Sequence, residues 1–340
     1  MTLSASPTRP ALIGDIGGTN ARFALVTPGE FVPREILTLP SAEYTGPVEA
    51  IRRYLSQIGL DTRTAPQEAC LAFAGPTDTD RIELANSSWV FSHRELQQAL
   101  GFERLKLIND FTAQALSVPH LKPDALVEIK PGEPRAHAPR LVIGPGTGLG
   151  IASLVPTPHA WLALASEGGH ATFAPTDERE QNLLRHFHNR YGRVSVERLL
   201  CGQGLFDLYL AHCSLKGANP VYQTPPEVTA AAANGDLIAR DTLLRFLKIL
   251  GDVCGDAALT LGARGGVYLC GGIVPRLLEW LPQSRFTQAF TAKGRMSHYT
   301  RAIRVQVITD PWSGLLGAAE ALRNPEVLSG NPEVLSGEEP

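Results

Sequence analysis

Gly14-Asp-Ile-Gly-Gly-Thr-Asn20 gathers a carboxylate, two adjacent glycines and two small polar side chains in seven residues. Adjacent glycines let backbone amides turn outward and approach a bulky anion, because no Cβ stands in the way. Asp15 lies among apolar residues, where a charge is costly unless a cation or a donor meets it. A phosphate with Mg²⁺ satisfies all of these features, with Thr19 and Asn20 adding polar groups at the same tip. A plain Gly-containing hairpin turn with an exposed Asp is the competing reading. A second glycine-rich run, Gly144-Pro-Gly-Thr-Gly-Leu-Gly150, is followed by Ile-Ala-Ser-Leu-Val. A dinucleotide fingerprint needs G-x-G-x-x-G opening a helix, and a Walker A loop needs Gly-Lys, a dipeptide this chain lacks. What remains is a second strand-turn-strand cradle, so that two such hairpins could hold the phosphates of one nucleotide.

Other polar residues stand where strands end. Asn109-Asp110 falls at a strand-to-helix junction, and spacing alone favours an Asx helix cap over a base for an attacking hydroxyl. Glu167 and His170 flank Gly168-Gly169, whose flexible backbone can bend both side chains toward one ligand. They suit hydroxyl groups better than a metal, for which one carboxylate and one imidazole are too few; an exposed turn is the alternative. Glu197 follows Ser195 in what reads as the first turn of a helix, where the macrodipole favours an acid in any case. His186 and His188 point to opposite sides of a helix and read as solvated surface residues.

The elements that must carry these groups are legible in outline. Ala11–Ile16 and Ala21–Thr27 read as strands around the first turn, and 31–39 extends that sheet. Val48, Ile51, Leu55 and Ile58 recur at helical spacing before Gly59. Ala69–Ala74, Ile82 with Leu84, and Leu105–Ile108 read as strands. Ser92 with Glu95 forms a capping box for a helix ending at Gly101. Five prolines between 119 and 139 mark the crossover to a second unit, with strands Leu141–Ile143, Ile151–Val155 and Trp161–Ala165. Thr224-Pro225-Pro226-Glu227 opens a helix, and a longer one spans about 237–261. A strand at Val267–Cys270 leads into Gly271-Gly272, and a strand near 303–308 and a helix near 313–322 follow. The heptapeptide Asn-Pro-Glu-Val-Leu-Ser-Gly occurs twice, at 324–330 and 331–337. Its prolines rule out a coiled coil, and it reads as a frayed end.

Composition bounds the function. The chain has 340 residues, 44% hydrophobic and 19% charged, which suits a soluble two-domain protein. A net charge of −3 supplies no basic footprint for nucleic acid. Five scattered cysteines without a CxxC pair suit a reducing, cytoplasmic setting. No apolar stretch reaches membrane length and residues 1–10 lack a signal-peptide core. In such a protein the glycosylation sequon at Asn86 would be silent.

Taken together, Gly14–Asn20, Leu107-Ile-Asn-Asp-Phe-Thr-Ala113, Gly144–Gly150, Glu167 before Gly168-Gly-His170, Ser195-Val-Glu-Arg198 and Gly271-Gly-Ile-Val-Pro-Arg276 resemble the bacterial glucokinase family. This is the branch of actin-like sugar kinases without the zinc-binding cysteine cluster. The resemblance runs from about residue 11 to 323 with motifs in order. It implies a two-domain α/β fold of the actin-like ATPase (hexokinase, ribonuclease H-like) type with the ligand cleft between domains. The expected domains are 1–120 with 312–324 (the smaller), 121–311 (the larger), and a disordered tail, 325–340. The C-terminal helix is expected to cross back onto the first domain.

The resemblance further implies ATP-dependent phosphorylation of the 6-hydroxyl of glucose, with Mg²⁺ and a homodimeric chain. Gly14, Asp15, Ile16, Gly17, Gly18 and Thr19 match the first phosphate loop, with Asp15 near Mg²⁺ through water. Gly146, Thr147 and Gly148 match the second, and Gly271-Gly272 the adenosine side. Asp110 matches the catalytic base, and Asn109, Glu167, His170 and Glu197 the sugar ligands. Asn86 lies near the family's sugar loop. Pro145 and Phe73-Ala-Gly-Pro76 depart from the commonest family forms without removing a needed side chain. Kinases for fructose, mannose or an N-acetylhexosamine are alternatives, as is a non-catalytic sugar sensor. The sensor would need a DNA-binding module, for which a first strand at residue 11 leaves no room. An actin- or chaperone-like ATPase would have no use for Asn109-Asp110 with Glu167 and His170.

Overall fold

The computed structural model describes residues 9–27, 29–61, 64–75, 79–84 and 87–327. The chain divides into two compact units: one of 1–122, 156–165 and 310–340, the other of 123–155 and 166–309.

The first unit begins with β1 (Ala11–Ile16), β2 (Asn20–Val26), β3 (Arg34–Pro40), α1 (Pro47–Gln57) and β4 (Glu68–Phe73). It continues through β5 (Arg81–Glu83), β6 (Val90–Ser92), α2 (His93–Leu100), β7 (Arg104–Asn109) and α3 (Asp110–Ser117). Its main sheet has the order β3-β2-β1-β4-β7, with β1 antiparallel to β2 and parallel to β4, and β4 parallel to β7. Ile16 pairs with Phe73 and Phe73 with Asn109, so three parallel strands end level. That register puts the Gly17 turn, Gly75 and Asp110 along one edge of the sheet. In open α/β sheets the carboxyl ends of the strands are where ligands bind. The core joins Leu12, Phe23, Leu71 and Phe73 of the sheet to Ile51 and Tyr54 of α1. Helix α2 starts on Ser92, whose side chain accepts from Glu95 N, and stops at Gly101 with φ 70°.

The second unit contains β8 (Leu126–Lys130), β9 (Arg140–Pro145) and β10 (Leu149–Pro156). The short β11 (Trp161–Ser166) follows and lies almost wholly in the first unit. Then come α4 (Glu178–Tyr191), α5 (Gly202–Leu215), α6 (Pro225–Ala233), α7 (Leu237–Thr260), β12 (Val267–Leu269), α8 (Phe286–Thr291), α9 (Ser297–Arg301) and β13 (Val305–Ile308). The proline-rich crossover thus holds a strand, β8, that its sequence hides, because prolines mask the apolar pattern of 126–130. The strands run β10-β9-β12-β13-β8, again with an antiparallel hairpin beside parallel neighbours. Phe246, Leu247 and Leu250 of α7 pack with Leu141 and Ile143 of β9. Strand β9 runs through Gly144 and Pro145, and β10 begins at Leu149, so the glycine-rich turn is three residues, Gly146-Thr147-Gly148. A strand ending at Ile143 is too short because Pro145, paired with Leu149, still keeps extended geometry.

Helix α10 (Ser313–Arg323) belongs to the first unit and packs on α3. Within the segment read as tail, Lys106 Nζ donates to the carbonyls of Asn324 and Val327 at 3.3 and 2.8 Å, as well as to Ala321 O at 2.8 Å. These bonds satisfy both a buried ammonium and the end of a helix. The rest of the repeat lies outside the described residues.

Candidate active site

In the first unit the Gly14–Thr19 segment is the β1–β2 hairpin. Gly17 N donates to Asn20 O at 2.9 Å, and Ser41 secures the turn from outside. Its hydroxyl donates to Gly17 O at 3.0 Å and its amide to Thr19 O at 2.9 Å. A Cβ on Gly17 would meet only Asn20 O, at 3.7 Å, so the Cα face of the turn is uncovered, and Thr19 is exposed. Asp15 stands directly opposite Arg22 across the hairpin, and Arg22 Nη1 donates to its Oδ2 at 3.1 Å. Burial nevertheless pushes the Asp15 carboxyl up, with the Arg22 charge and hydrogen bond opposing it. A Cβ on Gly314 of α10 would stand 2.7 Å from that carboxylate, so only glycine lets the helix start there.

Asn109 caps α3: its Oδ1 accepts from Phe111 N at 2.8 Å and from Thr112 N at 3.3 Å. Its Nδ2 donates to Gly75 O at 3.1 Å, which ties the β4 and β7 ends together. Asp110 is the first residue of α3, and its Oδ1 accepts from Phe111 N at 2.9 Å. The expected cap is real, and it fixes the backbone from which Asp110 projects.

In the second unit Glu167, His170 and Glu197 come together. His170 Nε2 is 3.8 Å from Glu167 Oε2 and 3.8 Å from Glu197 Oε1. Glu167 and His170 are open to solvent, with side chains 75% and 57% exposed, while Glu197 is 29% exposed. Gly168–His170 form a 3₁₀ turn, and Arg193 Nη2 donates to His170 O at 2.7 Å. Glu197 sits in a one-turn 3₁₀ helix, Val196–Arg198, but its carboxylate does not serve that turn. Its Oε2 accepts from Leu149 N at 2.8 Å, at the end of the Gly146–Gly148 turn. A Cβ on Gly148 would stand 2.6 Å from the same oxygen. Glu197 thus stands in the first turn after Ser195, as its spacing suggests, and adds a tertiary contact 48 residues away in sequence. Gly146 N donates to Gly148 O at 2.7 Å and Gly202 N to Gly146 O at 2.9 Å. Gly271, with φ 81°, packs so closely that a Cβ would lie 2.7 Å from Pro145 O, which seats the Gly271-Gly272 turn beside the glycine-rich turn. Nothing lies within 4 Å of a Cβ on Gly146 or Gly272, so the Cα face of each is uncovered.

No group of three or more His, Cys, Asp or Glu side chains among the described residues could cage a metal. Asp15 still fits Mg²⁺, which binds phosphate oxygens and waters with one or two carboxylates. It is largely buried and has one cation beside it, Arg22.

Sequence reasoning did not single out Arg22, Ser41 or Arg193. Arg22 was within reach: a turn over 17–20 pairs residue 16 with 21, hence 15 with 22. Ser41 and Arg193 act through tertiary packing that has no local pattern. Asn86 and Pro76 lie outside the described residues.

Two units, each with a glycine-containing hairpin at the carboxyl edge of its sheet, are the actin-like ATPase architecture of sugar kinases. The Glucokinase family model matches residues 12–325. A glucokinase of Chromohalobacter salexigens is 60% identical, with 94% of this chain and 99% of that one covered. A glucokinase of Hahella chejuensis is 50% identical over 95% and 99%. The crystal structure of a glucokinase from an Antarctic psychrotroph superposes with a TM-score of 0.83 at 38% identity, covering 92% of this chain and 98% of that one. The chain belongs to the glucokinase family.

Proposed function

We propose that Asp110 is the general base in transfer of the ATP γ-phosphoryl group to the 6-hydroxyl of glucose, with Asn109, Glu167, His170 and Glu197 holding the sugar. As a family member the chain is a phosphotransferase, an ATP-dependent hexose kinase. The observation that carries the choice of acceptor is the convergence of Glu167, His170 and Glu197 around His170 Nε2, at 3.8 Å from each carboxylate. Two carboxylates and an imidazole are acceptors and donors for a row of hydroxyls, and they suit free hydroxyls better than an acetamido group. Sites that hydrogen-bond each hydroxyl reject analogues lacking one to the extent that the bound sugar shields those partners from water.

In this reading Asp110 accepts the proton of the 6-hydroxyl as its oxygen attacks the γ-phosphorus in line, and ADP leaves. The transition state is loose, so charge stabilisation and positioning dominate. The amides of Gly18 and Thr19 in one turn and of Thr147 and Gly148 in the other hold phosphate oxygens, while Gly17 N and Gly146 N close their own turns, and Gly271-Gly272 borders the adenosine. Asp15 would help to hold Mg²⁺, which when bound would neutralise phosphate charge. Burial raises the Asp15 carboxyl pKa, and the charge and hydrogen bond of Arg22 oppose that rise.

The buried thiols of all five cysteines suit a reducing cytoplasm. No helix among the described residues is long and apolar enough to cross a membrane. The homodimer implied by the resemblance belongs to the same proposal and is read by sedimentation velocity. The test of function is ADP release by purified protein with Mg-ATP across glucose, fructose, mannose and N-acetylglucosamine. Glucose-restricted turnover supports the reading; turnover with the N-acetylated sugar alone overturns it.

A further inference from the structure

The Glu197 carboxylate divides its two oxygens between two segments of the second unit. Oε2 accepts from Leu149 N at 2.8 Å, and Oε1 faces His170 Nε2 at 3.8 Å. The surrounding backbone is joined in the same way. Val196 N donates to Ala171 O at 2.9 Å, which ties the Glu197 turn to the Glu167–His170 segment. Gly202 N donates to Gly146 O at 2.9 Å, which ties the other end of the same stretch to the glycine-rich turn. Gly169 packs directly against the Leu149 carbonyl. Leu149 is thus held by Glu197 at its amide and by Gly169 at its carbonyl. A Cβ at Gly148 would lie 2.6 Å from Oε2, so this position is open only to glycine while the carboxylate stays in place.

We propose that Glu197 is a positioning residue that couples sugar occupancy to nucleotide occupancy, through its hydrogen bond to the end of the second glycine-rich turn. This rests on the reading above, in which Glu197 holds a sugar hydroxyl and the 146–148 turn holds phosphate. The partly exposed Glu197 side chain loses freedom when a sugar hydroxyl bonds to Oε1. Fixing the carboxylate fixes Oε2 against Leu149 N, and the turn is then already ordered when the nucleotide arrives. The second ligand meets a smaller ordering cost, so the coupling is positive. By linkage it is reciprocal: nucleotide tightens sugar by the same factor.

The test is calorimetric titration of glucose into nucleotide-free, full-length protein as wild type, Gly148→Ala, Glu197→Ala and the double variant. A methyl at position 148 displaces Oε2, so Gly148→Ala weakens glucose on the order of tenfold although no nucleotide is present. In the Glu197→Ala background the same substitution leaves glucose affinity unchanged, because the residue it acts through is gone. If Glu197→Ala weakens glucose but Gly148→Ala does not, or does so equally in both backgrounds, the coupling is overturned and the sugar role of Glu197 stands. If Glu197→Ala leaves glucose affinity intact, the sugar role falls and the coupling with it.

A second measurement does not depend on Gly148→Ala folding. A saturating, non-hydrolysable ATP analogue tightens glucose about fivefold or more in the wild type. In Glu197→Ala that factor collapses to one, and a factor kept at the wild-type value overturns the proposal.

Discussion

Asn109 shows how one side chain can satisfy two readings of the same residue. Its carbonyl oxygen caps α3 and its amide nitrogen holds Gly75 O, so the cap deduced from spacing is what aims Asp110. Glu167 gives a cleaner test of the sugar assignment, because an exposed side chain can be changed at little structural cost. Surface substitutions away from such features cost within about 0.5 kcal/mol. Glu167→Gln is therefore expected to leave thermal stability unchanged while raising KM for glucose more than KM for ATP. Steady-state kinetics with each substrate varied in turn decides this, and equal effects on both would remove Glu167 from the sugar. Much at this scale was legible. The Asp15 carboxylate needing a cation was visible in sequence, and hairpin register alone identifies that cation as Arg22. The Glu197–Leu149 bond was not, because no local pattern relates residues so far apart.

Elements were read more completely than residues where their ends carry punctuation. Ser92 with Glu95, Thr224 with Pro225, and Gly59 and Gly101 with positive φ all act as their types suggest. Strand β8 has no signature in the sequence and β9 extends beyond the Leu141–Ile143 that its pattern shows, because prolines obscure extended backbone at their ends. What sequence did not show is how closely α10 lies on the first unit. Gly317 touches the backbone carbonyl of Ala113 in α3, and Ser313 Oγ donates to Gln114 Oε1 at 2.9 Å. Any Cβ at Gly317 overlaps that carbonyl, so the two helices must part. Gly317→Ala is expected to cost about 1–3 kcal/mol, the usual penalty of overpacking. It should also lower kcat, since α3 opens with Asp110. Urea unfolding beside a turnover assay checks both; unchanged values for the two would show that the helix contact is loose.

At the scale of the whole molecule, the strand orders β2-β1-β4-β7 and β10-β9-β12-β13 repeat one plan, each setting a glycine-containing turn at a carboxyl edge. Stability of the second unit depends on pH through His212. Burial and then the Arg179 cation push this imidazole down to about 3. Its Nδ1 donates to Thr242 Oγ1, whose own hydroxyl donates to Ile238 O, and its Nε2 accepts from Arg179 Nη2 at 3.4 Å, so the ring is held neutral. The unfolded chain takes up a proton near pH 6.5 and the folded one does not. The His212 contribution is thus complete above pH 6.5 and is lost progressively toward pH 3, at up to about 1.4 kcal/mol per pH unit. Between pH 6.5 and 5, before most carboxylates titrate, unfolding midpoints should fall with pH in the wild type and much less in His212→Gln. Equal slopes would contradict this origin.

Asp110 as the base of glucose phosphorylation is put to the test by following glucose 6-phosphate formation by NMR with Mg-ATP, in wild type and Asp110→Ala side by side. Phosphorylation at the 6-position, with kcat lowered on the order of 10²–10⁴-fold in the folded variant, is the predicted result. Near-normal turnover by Asp110→Ala, or phosphate at another hydroxyl, would contradict it.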